Sequence, residues 1–568
     1  MRFLLAAMLF ILAISLLLLG LAQRTIWAPP DNYSVNLIAS GDQPYLIISS
    51  NELAFLPGNA TVSAYGPGAV MLAAGKDLDV SAWVALSSHF QAVSSEEGTS
   101  LGVREIIGTT DFESPLGSDL WVVEEVGESF SQLTVPAGGD MAVLVASDGI
   151  EPVPSRVSIS WPIVNSTVVS DTFIAVGIGM LVVAIILNLL ALRKMLINRG
   201  PRRKVPRSPQ APRYRPKKTN YEIPKRGRRS ASRKIALIPV SLGLVFSLSA
   251  CATDPTPPAG PSPSSTEAVV EVIPPVVNQA QVRKILRDLQ KVVSAADKSG
   301  DAEILKDRVS GPALAFREVH YFLMTKSPEI EPLPPISGSV ISITLPASTN
   351  TWPRSFMIVT EADTGENLPQ MLVMQQASPR ENYKLWYNIP LLPGSEIPAV
   401  PATEVGSIPV ERDSLFLRLS PAQLPTAFGD VINKGSESEF YNLFNLEGDE
   451  FYEQISGSQQ EQVAKLRRAR ITFSHVLGNE NVISLSTSDS GALVALLMTD
   501  TYVIRPTREN SAVTVEGLEQ LLLGVEGSFK GVSTQYGDML LFFVPASTAK
   551  GKITLLGATQ SLLSIEVL

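Results

Sequence analysis

Three long apolar runs, Phe3 to Ala22, Thr172 to Leu192 and Ile235 to Ala250, divide the chain before any shorter periodicity is read. The first two reach about 20 residues, the length of a helix that crosses a bilayer, and only Asn188 is strongly polar inside the second. Residues 1–29 are expected to form an uncleaved N-terminal anchor, and residues 169–192 a second span. Gly20 and Ala22 keep signal-peptidase cleavage open as the alternative. Gly177 and Gly179 would let another helix approach closely, but they lack GxxxG spacing, so no dimer is predicted through them. The third run, within residues 235–253, is short and contains Pro239, which suits the apolar part of a signal sequence better than a third span.

Between the runs the period changes. Residues 30–168 carry short β-rich stretches separated by turn formers, among them YSVNLIAS, YLIISS, ATVSAY, AVMLAAG, VSAWVAL, LWVVEE, SQLTVPAG, MAVLVAS and VSISW. This rhythm predicts an all-β sandwich with Trp83 and Trp121 in its core. Residues 254–277 are rich in proline and serine and read as an extended tether. A helix follows, with Val282, Ile285, Leu286, Leu289, Val292, Val293 and Ala296 on one face and Gly300 as its stop. A second amphipathic start recurs at SPAQLPTAFGDVINK, where Ser420 is a candidate cap, Pro421 the first helical residue, and Leu424, Phe428, Val431 and Ile432 the apolar face. Each start is followed by a Ser-Gly pair, expected as a turn, and then by strands. The expectation is a tandem α+β region, residues 278–410 and 411–568, each copy being helices and then an antiparallel curved sheet.

Charge fixes an expected orientation. From Arg193 to Lys234 there are 17 Lys or Arg against the single acid Glu222, a net charge of +16 within a chain of net charge -9. Such a block, here taken as a disordered loop over 193–234, marks the cytoplasmic side of a membrane protein and attracts anionic lipid headgroups; nucleic acid is not the expected partner. The large domains then lie on the extracellular side of a bacterial cell membrane. Positive charge, apolar core and the sequence Leu248-Ser249-Ala250-Cys251 together form a lipobox-type signal. Lipid attachment at Cys251, followed by cleavage before it, would divide the chain into two products; a retained third span is the alternative.

Candidate chemistry is sparse. One cysteine and three dispersed histidines, His89, His320 and His475, offer no metal or cofactor pattern. Ser547-Thr548-Ala549-Lys550 matches S-x-x-K but follows a strand, in hairpin context, without S-D-N or K-T-G, and is read as chance. Asp77-x-Asp79 has the spacing of some metal-nucleotide sites, yet no alternating strands and helices surround it, so it is read as a solvated turn before a strand. His320, His475, Tyr383 and Trp386 are the candidate pocket residues; no nucleophile motif accompanies them, and both histidines are expected to be structural.

The phrases AVMLAAGKDLDVSAWV, SGPALAFREVHYFL, TWPRSFMIVTEA and YKLWYNIPLLPG resemble an uncharacterised actinobacterial membrane-protein family with an external C-terminal region of unknown function. The helix-then-curved-sheet order is also similar to the nuclear-transport-factor-two-like cone, a fold that serves enzymes and interaction modules alike. Together these readings describe a multidomain membrane protein with two or three transmembrane helices. It presents external domains to other envelope proteins without catalysis, and a ligand-binding lipoprotein or pocket-bearing envelope enzyme is the alternative.

Overall fold

The computed structural model describes residues 2–28, 30–95, 100–163, 168–197, 273–336, 340–361, 368–466, 468–478, 481–508 and 510–568. Cys251 with its lipobox, the third apolar run and the basic segment beyond Ile197 lie outside these residues. The rest falls into two compact units, α1 (Arg2–Thr25) with α4 (Val168–Ile197) in one, and residues 30–163 with 273–568 in the other.

Residues 30–163 hold β1 (Asn32–Ile38), β2 (Tyr45–Ile48), α2 (Ser50–Leu53), β3 (Ala60–Tyr65), β4 (Val70–Lys76), α3 (Asp77–Val84), β5 (His89–Ser94), β6 (Leu101–Ile106), β7 (Val123–Gly127), β8 (Phe130–Val135), β9 (Met141–Ala146) and β10 (Arg156–Pro162). They make two sheets, β1-β10-β3-β8 and β6-β5-β2-β9-β4-β7. Leu37, Val62 and Ile159 of the first meet Leu46, Leu72 and Val145 of the second in a common core. The central strands of the larger sheet, β2, β9 and β4, are buried on both faces: Tyr45, Ile47, Met71, Ala73 and Leu144 point away from that core into a second one with Trp83 and Trp121. Burial on two sides is why β4 and β9 read as unbroken apolar runs. VSAWVAL, expected as a strand, contributes instead to α3, whose Val80, Trp83 and Val84 cover the larger sheet's outer face.

α4 (Val168–Ile197) runs past the expected boundary, so Arg193 and Lys194 belong to a helix and not to a loop. It and α1 are long and apolar enough to cross a membrane. They pack on small residues at seven-residue spacing: Ala6, Ala13 and Gly20 on α1, and Ser170, Gly177 and Ala184 on α4, all buried or in close contact. A Cβ at Gly177 would lie 2.8 Å from Leu17, and one at Gly20 2.8 Å from Ile174, so these glycines permit the approach. Arg24 and Asp171 pair at 3.6 Å at one end. Gly177 therefore meets a helix of the same chain, through small residues on a heptad repeat and not through GxxxG spacing.

The second part of the larger unit begins before Asn278. Val276 and Val277 are buried and Val276 N donates to Ala347 O at 2.8 Å, so the end of the expected tether is docked. α5 (Gln279–Ser299) starts on a capping box of Asn278 and Gln281 and stops at left-handed Gly300, as its sequence predicts. α6 (Gly311–Lys326) and the meander β11 (Val340–Pro346), β12 (Arg354–Glu361), β13 (Gln370–Gln376), β14 (Lys384–Pro390) follow. Next come α7 (Leu424–Lys434), α8 (Glu450–Lys465), β15 (Ala469–Leu477), β16 (Ile483–Ser486), β17 (Ala492–Pro506), β18 (Val513–Thr514), α9 (Gly517–Leu523), β19 (Gly527–Ser528), β20 (Val532–Val544) and β21 (Thr554–Val567). Their main sheet runs β15-β17-β20-β21, with β16 on β17.

Both halves thus run two helices and then an antiparallel meander, but the expected Ser-Gly turns differ. Ser310 and Gly311 open α6, whereas Ser456 and Gly457 lie inside α8. Ser420 makes no side-chain cap; Pro421 begins a 3-10 turn that leads into α7. The halves also share a layer. Leu493, Ala495 and Leu497 of β17 enter the core of α5 and β12–β14, while Ala492, Val494, Leu496 and Met498 face α7 and α8.

Candidate functional site

Two places hold buried charge. The first joins the sandwich to the α+β region. Asp79, in the first turn of α3, receives Arg354 Nη1 at 2.6 Å, with both side chains almost wholly buried. The Arg354 guanidinium stacks 3.6 Å from the centroid of the Trp352 ring. Asp77-x-Asp79 is therefore not a solvated turn: Asp77 accepts from Ser50 N at 3.0 Å, and Asp79 faces a partner 275 residues away in sequence. Burial pushes the Asp79 carboxyl above its ordinary pKa even though Arg354 pulls it down, and burial lowers Lys76, which donates to Pro275 O.

Asp119 makes the second contact of this joint. Its Oδ2 receives Arg308 Nη1 at 2.5 Å and Tyr383 N at 2.8 Å, and its backbone N donates to Asn382 Oδ1 at 3.0 Å. From α5, Gln281 Nε2 donates to the Asp119 and Leu120 carbonyls, and Lys284 Nζ to those of Gly117 and Ser118. Arg380 completes it, donating to Trp83 O at 3.0 Å, Asp111 O at 3.1 Å and Ser87 Oγ. The α+β region supplies nearly all the cations and the sandwich nearly all the acceptors.

The second place lies on the face of β15, β17, β20 and β21 covered by α7 and α8. His475 and Asp500 are cross-strand partners, and His475 Nδ1 lies 2.5 Å from Asp500 Oδ1. Asp538, on β20, is a carboxyl neighbour of Asp500 on the same face and pairs in register with Gln560. His475 Nε2 lies 3.2 Å from both Gln459 Nε2 on α8 and Asn433 Oδ1 on α7. Gln459 can donate to a neutral ring and Asn433 can accept from a charged one, so each protonation state has a partner. α7 comes this close because Gly429 has no side chain; a Cβ there would lie 2.2 Å from that of His475.

Burial governs the cluster's titration. It lowers His475 to about 4, against an opposing pull from Asp538. It raises Asp500 and Asp538, and the like charge of Asp500 raises Asp538 further. Asp500 Oδ2 and both Asp538 oxygens have no hydrogen-bonding donor from the described residues, which fits two carboxyls that share protons rather than two free carboxylates. The arrangement can hold and redistribute protons.

The four candidate pocket residues are spread over the fold. Tyr383 is fully buried, edge-on to Phe356 at 5.0 Å, with its backbone in the joint. Trp386 packs over Gly311, a residue at φ 57° where a side chain would strike the indole. His320 is half-buried on α6, and burial lowers its pKa. The hydrogen bonds and ring contacts of the described residues link none of the four to another. The sequence reading missed Arg308, Arg354, Arg380, Asp119, Asp500 and Asp538. For Asp500 and Asp538 the signal was a lone charge within an apolar strand, ALVALLMTDTYVI and YGDMLLFF.

The fold and these sites define a two-helix hairpin of membrane-spanning length joined in sequence to a β-sandwich docked on an α+β region. A family model described as a domain of unknown function, DUF8094, matches residues 273–565, and the chain belongs to that family. No curated protein and no solved structure matches the chain.

Proposed function

We propose that this is a bacterial cell-envelope membrane protein whose α1–α4 hairpin anchors one compact block, residues 30–163 with 273–568, on the outer side of the membrane, where it acts by binding other envelope proteins and not by catalysis. The observation that carries the reading is the buried joint. Its two sides flank α4 in sequence, yet Asp79 meets Arg354 and Asp119 meets Arg308 within one body. A chain that leaves the block through a membrane-crossing α4 must cross back before residue 273, and the apolar run Ile235 to Ala250 supplies the return. The basic stretch between the two crossings falls on the cytoplasmic side, beside anionic lipid. The packing of α1 against α4 supports retention of α1 as an anchor.

Thiol labelling of intact protoplasts tests this. In a Cys251→Ser background, Glu128→Cys and Asp413→Cys should react with a membrane-impermeant maleimide, while Ser208→Cys should react only after permeabilisation. Labelling of Ser208→Cys in sealed protoplasts, or protection of either of the other two, would overturn the arrangement.

A further inference from the structure

Residues 30–163 and 273–568 meet as two proteins meet. The contact has a buried apolar centre of Trp83, Trp121 and Leu120, with Trp352 packed against it, and around it two buried Arg–Asp pairs and the three-point grip of Arg380. Aromatic and arginine anchors fully removed from water are the usual energetic centre of a protein–protein interface. Charge is divided between the sides: Arg308, Arg354, Arg380 and Lys284 on one, Asp79, Asp119 and a row of carbonyls on the other, with Lys76 the reversed contact. Neither side borrows a strand from the other, since the sheets of residues 30–163 are built only from β1–β10. Each side closes its own core, Leu46, Leu72 and Ile159 on one and Leu289, Leu345 and Val373 on the other.

We infer that the chain is a fused two-component complex: the α+β region is the receptor surface for the sandwich, and the pair stays assembled when the peptide connection between them is cut. Removal of the signal before Cys251 would then yield a membrane-anchored sandwich and a separate lipoprotein that remain bound to each other. The inference rests on the joint alone, so a failure of the proposed topology would leave it standing.

The test uses the full chain in detergent, with a site-specific protease sequence inserted after Pro258 and an affinity tag at the N-terminus. After complete cutting at micromolar concentration, the C-terminal fragment should remain on the tagged N-terminal fragment through extended washing. Asp119→Asn with Asp79→Asn should speed its release about thirtyfold or more, since each removes the carboxylate that a buried guanidinium meets across the joint. The same variant left uncut must keep the circular dichroism of the parent, which separates a weakened joint from a failed fold; if it does not, Arg380→Met serves as the peripheral substitute and should speed release by a smaller factor. Release of the C-terminal fragment from the unsubstituted protein directly upon cutting would overturn the inference, as would equal release rates with and without the substitutions.

Discussion

A buried carboxyl without a hydrogen-bond donor keeps its proton well above the usual pH, and Asp538 is placed in that way. The consequence for stability follows from linkage. Asp500 and Asp538 titrate above their ordinary 3.8 in the folded chain, so their contribution is full below that value and is lost as pH rises through the raised values. His475 runs the other way: lowered from 6.5 to about 4, it contributes fully above 6.5 and loses that contribution as pH falls toward 4. Two raised carboxyls outweigh one lowered imidazole, and the cluster should destabilise the protein as pH rises. Asp538→Asn replaces a proton-dependent group with a neutral one of the same shape. It should raise unfolding stability by about 1–3 kcal/mol at pH 8 and by much less at pH 5, measured by urea denaturation. A gain that stays the same at both pH values would refute this account. At this scale the sequence was half legible. His475 stood out as a rare residue, but that β15, β17 and β20 bring three titratable groups together depends on register, which lies outside local pattern.

Elements were better read from sequence where one face alone is buried. α5 carries its apolar face, its cap and its stop in local order, and all three are present. α3 failed that reading because eight residues are too few to display a period, and its burial depends on distant partners. α8 shows the reverse hazard: its Ser456-Gly457 pair looks like punctuation, yet the helix runs through it. The two membrane-length helices make a sharper case, since the small residues that let them touch recur every seven positions. Gly177→Leu places a side chain where Leu17 already stands, and overpacking of this kind costs about 1–3 kcal/mol. A short bis-maleimide should join Arg24→Cys to Asp171→Cys in a Cys251→Ser chain, and Gly177→Leu should reduce the yield severalfold. Gly179→Leu should not, because nothing lies within 4 Å of a Cβ there. Equal loss for both would mean that the helices are held by something other than this seam.

For the whole molecule, the division into long apolar helices, β-rich segment and helix-plus-strand region was visible in the hydropathy and turn pattern. The joint was not, because Arg354 and Arg308 carry no local mark of what they bind, and ion pairing across hundreds of residues leaves no periodic trace. The joint also imposes parity on the membrane crossings of the proposed topology. Deleting residues 235–250 should strand 273–568 on the side opposite to 30–163, so Asp79 and Asp119 lose their cations. The sandwich of such a variant should become sensitive to protease added to protoplasts, where the parent resists. Equal resistance in both would show that the return crossing lies elsewhere.

Strand β17 has a consequence for ancestry. Its odd positions from Leu493 to Leu497 close the core of the first helix-and-sheet half and its even positions that of the second, so insertion or deletion of a single residue would exchange the two sets. Neither half can be dropped by a lineage without stripping the cover from the other. A third layer would have no open face of β17 on which to pack. The number of halves in this arrangement is fixed by one strand, and descent can alter their surfaces far more freely than their count.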